Sequence, residues 1–416
     1  MDHFFYKEHN LIAEDVPIAA VADQFGTPCF IYSRAALEEN YGAYRAAFDD
    51  HSHLICFAVK ANSNIAVLNV LAKLGAGFDI VSGGELARVI AAGGDPKKVT
   101  FSGLGKTVDE IYRGISADIH CFNVESEAEL QLINDIAVSE SKIAPISIRV
   151  NPDVNAETHP YISTGLKENK FGISMEPAKQ LYVKASKMRG VKITGIDFHI
   201  GSQLTNITPI LHALDRILDM NDQLEAKGIA IDHVNIGGGL GVVYGDEKPP
   251  TPGELISAIK QKFSGIDLKI VIEPGRSIAA NAGILVTRVE YLKKHEGKNF
   301  AIVDGAMNDL IRPALYSAWQ NIVPVTRATS DETLIYDVVG PICESADFLG
   351  KNRSLGIKSG DLLAVKSAGA YGFVMSSNYN SRLRAPEIMI SNSNVHLIRE
   401  RELVSDLFRN EHLLPT

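Results

Sequence analysis

The feature that most constrains this chain is an alternation of texture. Between Cys29 and Ser277, eight short β-rich apolar runs are separated by amphipathic stretches. The runs are 55–60 (ICFAVK), 78–82 (FDIVS), 99–102 (VTFS), 121–125 (CFNVE), 146–151 (ISIRVN), 195–200 (GIDFHI), 233–237 (HVNIG) and 269–273 (KIVIE). Stretches such as 65–74, 85–92, 127–138 and 210–226 place apolar residues three or four apart, the spacing of a helix with one buried face. Runs that are apolar throughout are buried on both faces, as in a parallel sheet covered by helices. Eight such units predict a closed (β/α)8 TIM barrel of the α/β class rather than an open sheet.

A barrel of this kind needs about 250 residues. The chain has 416, so a second domain is expected. After Ser277 the runs 284–291, 300–303, 334–339 and 361–365 are short, β-branched and parted by turn residues, with few helical stretches between. They predict a mostly antiparallel β domain. The expected division is a barrel over 30–280 and a β domain made of 1–29 with 281–416. The net charge of −9 disfavours nucleic acid and anionic membranes as partners, while leaving room for a local basic pocket. The four cysteines form no C-x-x-C pair, which argues against zinc ribbons and redox dithiols; no metal site is expected. Cys29, Cys56 and Cys121 lie in apolar runs and are expected as inert buried thiols. The opening residues carry no secretory pattern, and no stretch reaches the ~20 apolar residues of a membrane helix, so a cytoplasmic soluble protein is expected.

In barrels of this class, chemistry sits at the carboxyl ends of the strands. The first run ends in Lys60 and the second carries Asp79. The sixth holds His199, followed by Gly201 and Ser202. The seventh ends in Gly237–Gly238–Gly239, and the eighth in Glu273–Pro274–Gly275–Arg276. Taken singly, a strand-end lysine is usually a solvated charge, a glycine run a tight turn, a Glu/Arg pair a surface ion pair and a lone histidine part of the core. Together they would ring one mouth. Lys60 follows five apolar residues, and partial desolvation would free its amine as a nucleophile toward an aldehyde cofactor. Three successive glycines let amides approach a phosphate, while G-x-G-x-x-G fails at Val242. A single phosphate on a small cofactor fits better than a nucleotide. A carboxylate such as Glu273 can keep a pyridine nitrogen protonated, Arg276 can grip a phosphate or carboxylate, and His199 can stack on a flat ring. The second domain adds Asp304–Asp309 with Arg312 and Tyr316, then Cys343–Glu344, then Tyr371 with Tyr379.

These motifs resemble the alanine-racemase-like, fold-type III pyridoxal-phosphate decarboxylases. The stretches that carry the resemblance are FAVKANSN (57–64), GFDIVSGGEL (77–86), THPYISTGLKENKFGI (158–173), DFHIGSQL (197–204), NIGGGLG (235–241), IEPGRSI (272–278), DGAMNDLIRPALY (304–316), GPICESAD (340–347) and AGAYGFVMSSNYNSRLRAPE (368–387). They run in family order across nearly the whole chain. The branch most resembled converts meso-2,6-diaminopimelate to L-lysine and carbon dioxide, the last step of lysine biosynthesis. The resemblance implies that Lys60 holds the cofactor as a Schiff base, that Glu273 faces its ring nitrogen and that His199 stacks on the ring, with Asp79 also at the cofactor. Gly237, Gly238, Gly239, Ser202, Gly275, Arg276 and Tyr371 would hold the phosphate. Arg276, Arg312, Tyr316, Glu344 and Tyr371 would bind substrate, with Cys343 as proton donor. It also implies a homodimer with shared active sites.

Specificity is expected from the far end of the substrate, where Arg312 or Arg276 answers a carboxylate and Glu344 an ammonium. The rival readings are a decarboxylase of ornithine, arginine or carboxynorspermidine, an amino-acid racemase, and a non-catalytic carrier of the cofactor. The ~140 residues after Ser277 argue against a carrier built as a barrel alone.

Overall fold

The computed structural model describes residues 3–155, 170–328 and 332–415. Of the stretches named above, 158–169 lie outside the described residues. The chain divides into two compact units. One comprises 38–243 with 247–278; the other runs up to Leu37, takes in Tyr244–Asp246 and continues from Ala279 onward.

Among the described residues of the first unit, eight parallel strands close a barrel. They are β1 (His53–Ala58), β2 (Gly77–Ile80), β3 (Val99–Phe101), β4 (Cys121–Val124), β5 (Ala144–Asn151), β6 (Val191–Asp197), β7 (His233–Asn235) and β8 (Lys269–Ile272). Each pairs with the next, and β8 returns to β1. The alternation read from the sequence is therefore the closed barrel it predicted. The helices between strands start where short polar side chains can take up free amides. Asn64, Ser82 and Ser126 accept from their own first turns. Thr107 with Glu110, and Thr251 with Glu254, form reciprocal capping boxes. The apolar faces of these helices bury Leu68, Leu71, Leu86, Ile111 and Ile133 against the barrel, each worth about 1.5–3 kcal/mol relative to exposure.

The barrel wall carries a polar layer. Asp79 sits in register with Thr100, Asn123 with Ser147, and Asp197 with both Arg149 and Asn235. All of these residues are buried. A buried polar group is costly unless paired, so such a layer has to be satisfied from within or by a ligand.

The second unit is a mostly antiparallel sheet. Its longest strand, Gly283–His295, pairs antiparallel with Cys29–Ser33, Lys298–Val303 and Leu362–Val365. Leu334–Val339 and Glu387–Ser391 add parallel partners at two places. The boundary expected at residue 30 falls within Cys29–Ser33. That strand is buried along its whole length and packs with Val21, Ile284, Val286, Ile388 and Ile390 in the core of the second unit. Its texture is that of a barrel strand, which is why the sequence does not separate the two. Cys29, Cys56 and Cys121 are buried, and burial pushes the Cys29 and Cys121 thiols up to about 12. Among the described residues, no helix is long and apolar enough to cross a membrane.

Candidate active site

The carboxyl ends of the barrel strands bring the sequence-predicted barrel residues together. Lys60 lies just past β1, in a single 3-10 turn, Val59–Ala61. Its Nζ donates to Asp79 Oδ2 on β2 at 2.6 Å. Asp79 is 0% exposed, while the Lys60 side chain is 43% exposed. The Lys60 side chain is thus partly covered, and an ion pair to Asp79, which the run alone does not reveal, holds its amine.

Glu273 follows β8 and is almost fully buried. Its Oε1 accepts from Thr100 Oγ1 at 2.9 Å, from Asn235 Nδ2 at 2.6 Å and from Asn123 Nδ2 at 3.4 Å. Oε2 takes no partner among the described residues. Burial, then repulsion from Asp79, pushes the Glu273 carboxyl up to about 7 against the opposing pull of Lys60. Sequence reasoning missed Thr100, Asn123 and Asn235. The signal was there, since Thr100 and Asn123 are each the one polar residue of an otherwise apolar strand and Asn235 shares its three-residue strand with His233, and a buried polar side chain needs an internal partner.

His199 lies two residues beyond β6, outside the strand the sequence run placed it in. Burial holds its imidazole well below the ordinary range, helped by the charges of Arg149 and Lys60, so it is neutral. Arg149 is itself tied to Glu125 at 2.9 Å and lies 3.9 Å from Asp197. The glycine run packs directly beside these groups. A Cβ on Gly237 would lie 2.8 Å from His199 Nδ1, and one on Gly238 would lie 2.3 Å from the Glu273 carbonyl oxygen. Only glycine permits that approach. The amides of Gly238, Gly239 and Gly275 have no acceptor among the described residues. Arg276 donates to Ser202 Oγ from Nε at 3.3 Å and from Nη2 at 3.1 Å. Ser202 thus accepts here and keeps its own proton to donate.

The second unit holds the remaining predicted residues. Arg312 opens the short helix Arg312–Tyr316 and is 7% exposed. Its guanidinium sits over Tyr316, 5.9 Å from the ring centroid, and over Tyr244 at 5.0 Å. Tyr244, which no motif flagged, is thus part of the Arg312 environment. Cys343 and Glu344 are exposed on a turn curled about Asp347. The buried Asp347 carboxylate accepts from the Ile342 amide at 2.7 Å and from the Met307 amide at 2.7 Å, joining this turn to the 304–309 loop. Tyr371 has φ +55°, a left-handed backbone that a bulky side chain seldom adopts.

The donor set at the barrel mouth suits a small phosphorylated ring. It offers free amides and a guanidinium for an anion, a flat neutral imidazole, an amine, and a buried carboxyl with one oxygen uncommitted.

Comparison with known proteins agrees in kind. The family model described as pyridoxal-dependent decarboxylase, pyridoxal binding domain, matches residues 34–280. The chain is 57% identical over 415 residues to diaminopimelate decarboxylase of Pseudomonas aeruginosa, covering 100% of both. It is also 57% identical over 417 residues to that of Vibrio cholerae, again covering 100% of both. The crystal structure of diaminopimelate decarboxylase from Helicobacter pylori complexed with L-lysine matches with a TM-score of 0.92 at 41% identity, over 94% of this chain and 98% of that one.

Proposed function

The chain belongs to the pyridoxal-dependent decarboxylases, and from that premise we propose that it releases carbon dioxide from meso-2,6-diaminopimelate and yields L-lysine, the last step of lysine biosynthesis. One observation carries this reading. Glu273, fixed by three donors inside a closed barrel, shares one mouth with the Lys60–Asp79 pair.

Pyridoxal phosphate, when bound, supplies an aldehyde for amines and a ring that accepts the electrons of the breaking carbon–carbon bond. Lys60 is the amine that would carry it, and Asp79 holds that amine at the mouth. Glu273 would meet the ring nitrogen through Oε2, since Oε1 is taken. A carboxyl pushed up to about 7 shares a proton readily with such a base. His199 would cover a ring face. The amides of Gly238, Gly239 and Gly275, with Ser202, Arg276 and Tyr371, would hold the phosphate.

Arg276, Arg312, Tyr316, Glu344 and Tyr371 would bind the substrate, and Cys343 Sγ would deliver a proton to its α-carbon. Arg312 favours a dicarboxylate over a simple diamine. A buried guanidinium at the far end gains a charge-assisted partner from a distal carboxylate and nothing from ornithine. The exposed positions of Cys343 and Glu344 support a homodimer in which these residues complete the site of a second copy.

The test is spectral and chemical. Purified protein should absorb in the near-violet, borohydride should fix the cofactor on Lys60, and meso-diaminopimelate should release carbon dioxide. A mass-spectrometric adduct on another residue, or none, overturns the assignment.

A further inference from the structure

The turn bearing Cys343 and Glu344 is held by a neighbouring loop that the reading above leaves without a role. The Tyr379 hydroxyl donates to Glu344 Oε1 in a short hydrogen bond. The Cys343 amide donates to Asn380 Oδ1 at 2.8 Å. Glu344 Oε2 has no partner among the described residues. Asn380 sits at φ +54°, ψ 29°, the left-handed region that asparagine tolerates better than most residues. The flanks of this loop are anchored on several sides. The Ser377 amide donates to the Asn308 carbonyl at 2.9 Å, and Arg382 Nη2 to the Asp304 carbonyl at 2.6 Å. Glu402 Oε2 accepts from Asn378 Nδ2 at 2.6 Å and from the Arg384 amide at 2.9 Å. The base is therefore fixed on both sides, and Tyr379 and Asn380 project from it onto the two groups assigned to substrate and proton.

We propose that Tyr379 and Asn380 are positioning residues for this pair. Tyr379 commits Glu344 Oε1 and so aims Oε2 at the distal ammonium of the substrate, which makes it a determinant of selectivity for a diamino-dicarboxylic acid. Asn380 fixes the backbone at Cys343 and so places its thiol. This inference rests on the roles of Glu344 and Cys343 given above. An exposed carboxylate otherwise samples several rotamers, and ordering it beforehand removes an entropic cost from substrate binding. The phenol, 44% exposed, does this without burying the charge.

The experiment uses the holoenzyme with Tyr379→Phe, Glu344→Gln, the double variant and Asn380→Gly. KM and kcat are measured on meso-diaminopimelate, and Ki for racemic 2-aminopimelate, which lacks the second amine. Tyr379→Phe should raise KM roughly 5–10-fold, keep kcat within about twofold and leave Ki unchanged. The double variant should be no worse than Glu344→Gln alone, because both changes break one device. Asn380→Gly keeps the backbone conformation but loses the acceptor, and should lower kcat with little change in KM. An unchanged KM in Tyr379→Phe, a parallel rise of KM and Ki, or additive effects in the double variant would each sink the Tyr379 role. An unchanged kcat in Asn380→Gly removes the Asn380 role. If Glu344→Gln itself leaves KM unaltered, the substrate assignment of Glu344 fails first, an outcome distinct from a silent Tyr379→Phe beside a strong Glu344→Gln.

Discussion

The barrel mouth and the Cys343–Glu344 turn achieve order by opposite means. In the barrel, Asp79 and Glu273 are buried, and burial dominates the titration of Glu273 and His199. On the turn and the loop beside it, Cys343, Glu344 and Tyr379 are exposed, and hydrogen bonds rather than desolvation set their places. Burial tunes a group within one fold, since the low-dielectric wall penalises charge whatever else arrives. An exposed group is tuned instead by its hydrogen bonds and by nearby charge, as the Glu344 carboxylate raises the Tyr379 phenol. On the reading proposed above, the barrel residues are finished by their own unit, whereas the turn is completed by substrate and a second copy.

The sharpest test of this contrast is Glu273→Gln. It should lower kcat by about 100-fold without lowering the melting temperature, because a neutral amide replaces a desolvated carboxyl of the same shape. A milder loss would mean that burial there serves packing rather than chemistry. Next comes complementation. Lys60→Ala and Cys343→Ala, each inactive alone, should regain about a quarter of wild-type activity when dissociated and reassociated together, since half the dimers are mixed and each has one intact site. No recovery would mean that the turn serves its own barrel. Arg312→Ala should raise KM for meso-diaminopimelate roughly 10-fold or more, the scale of a lost hydrogen bond to a charged group. Normal kinetics would remove Arg312 from the substrate site.

A further effect falls on stability rather than on turnover. Burial, then the nearby His120 and Lys269, pushes His233 down to about 3. The His120 ring lies 5.2 Å from it, Ser147 Oγ contacts its Nε2 at 3.2 Å, and Asp232 adjoins it in sequence. Folded His233 stays neutral while the unfolded chain takes up a proton below about 6.5. Stability at this site is full above that value and is lost as pH falls toward about 3. Between about pH 7 and pH 4 the loss is about 3 kcal/mol. Urea denaturation should show it, with a shallower slope in His233→Gln. Equal slopes would mean that burial is not what governs titration in the barrel.

Much of the barrel site was legible because strand ends are legible. Lys60, Gly237–Gly239 and Glu273 each follow an apolar run, and such runs fix where a barrel strand must stop. The interior polar layer was not read. Thr100, Asn123 and Asn235 converge on one oxygen only after the strands take their register, and register is a property of pairing rather than of any single run. Tyr244 beside Arg312 and Asn380 beside Cys343 are contacts between residues 68 and 37 positions apart, as 312 − 244 and 380 − 343 give. No local pattern encodes them.

The sequence by itself determined the barrel, the mostly antiparallel sheet and the chemistry that ordered motifs imply, because hydrophobic periodicity and strand-end residue types are local properties. Only the tertiary structure decided that Lys60 is paired with Asp79, that Glu273 has one oxygen without a partner among the described residues, and that Cys29–Ser33 joins the second sheet. Those outcomes depend on which side chains meet across distant segments, and burial and pairing energies arise only once they meet.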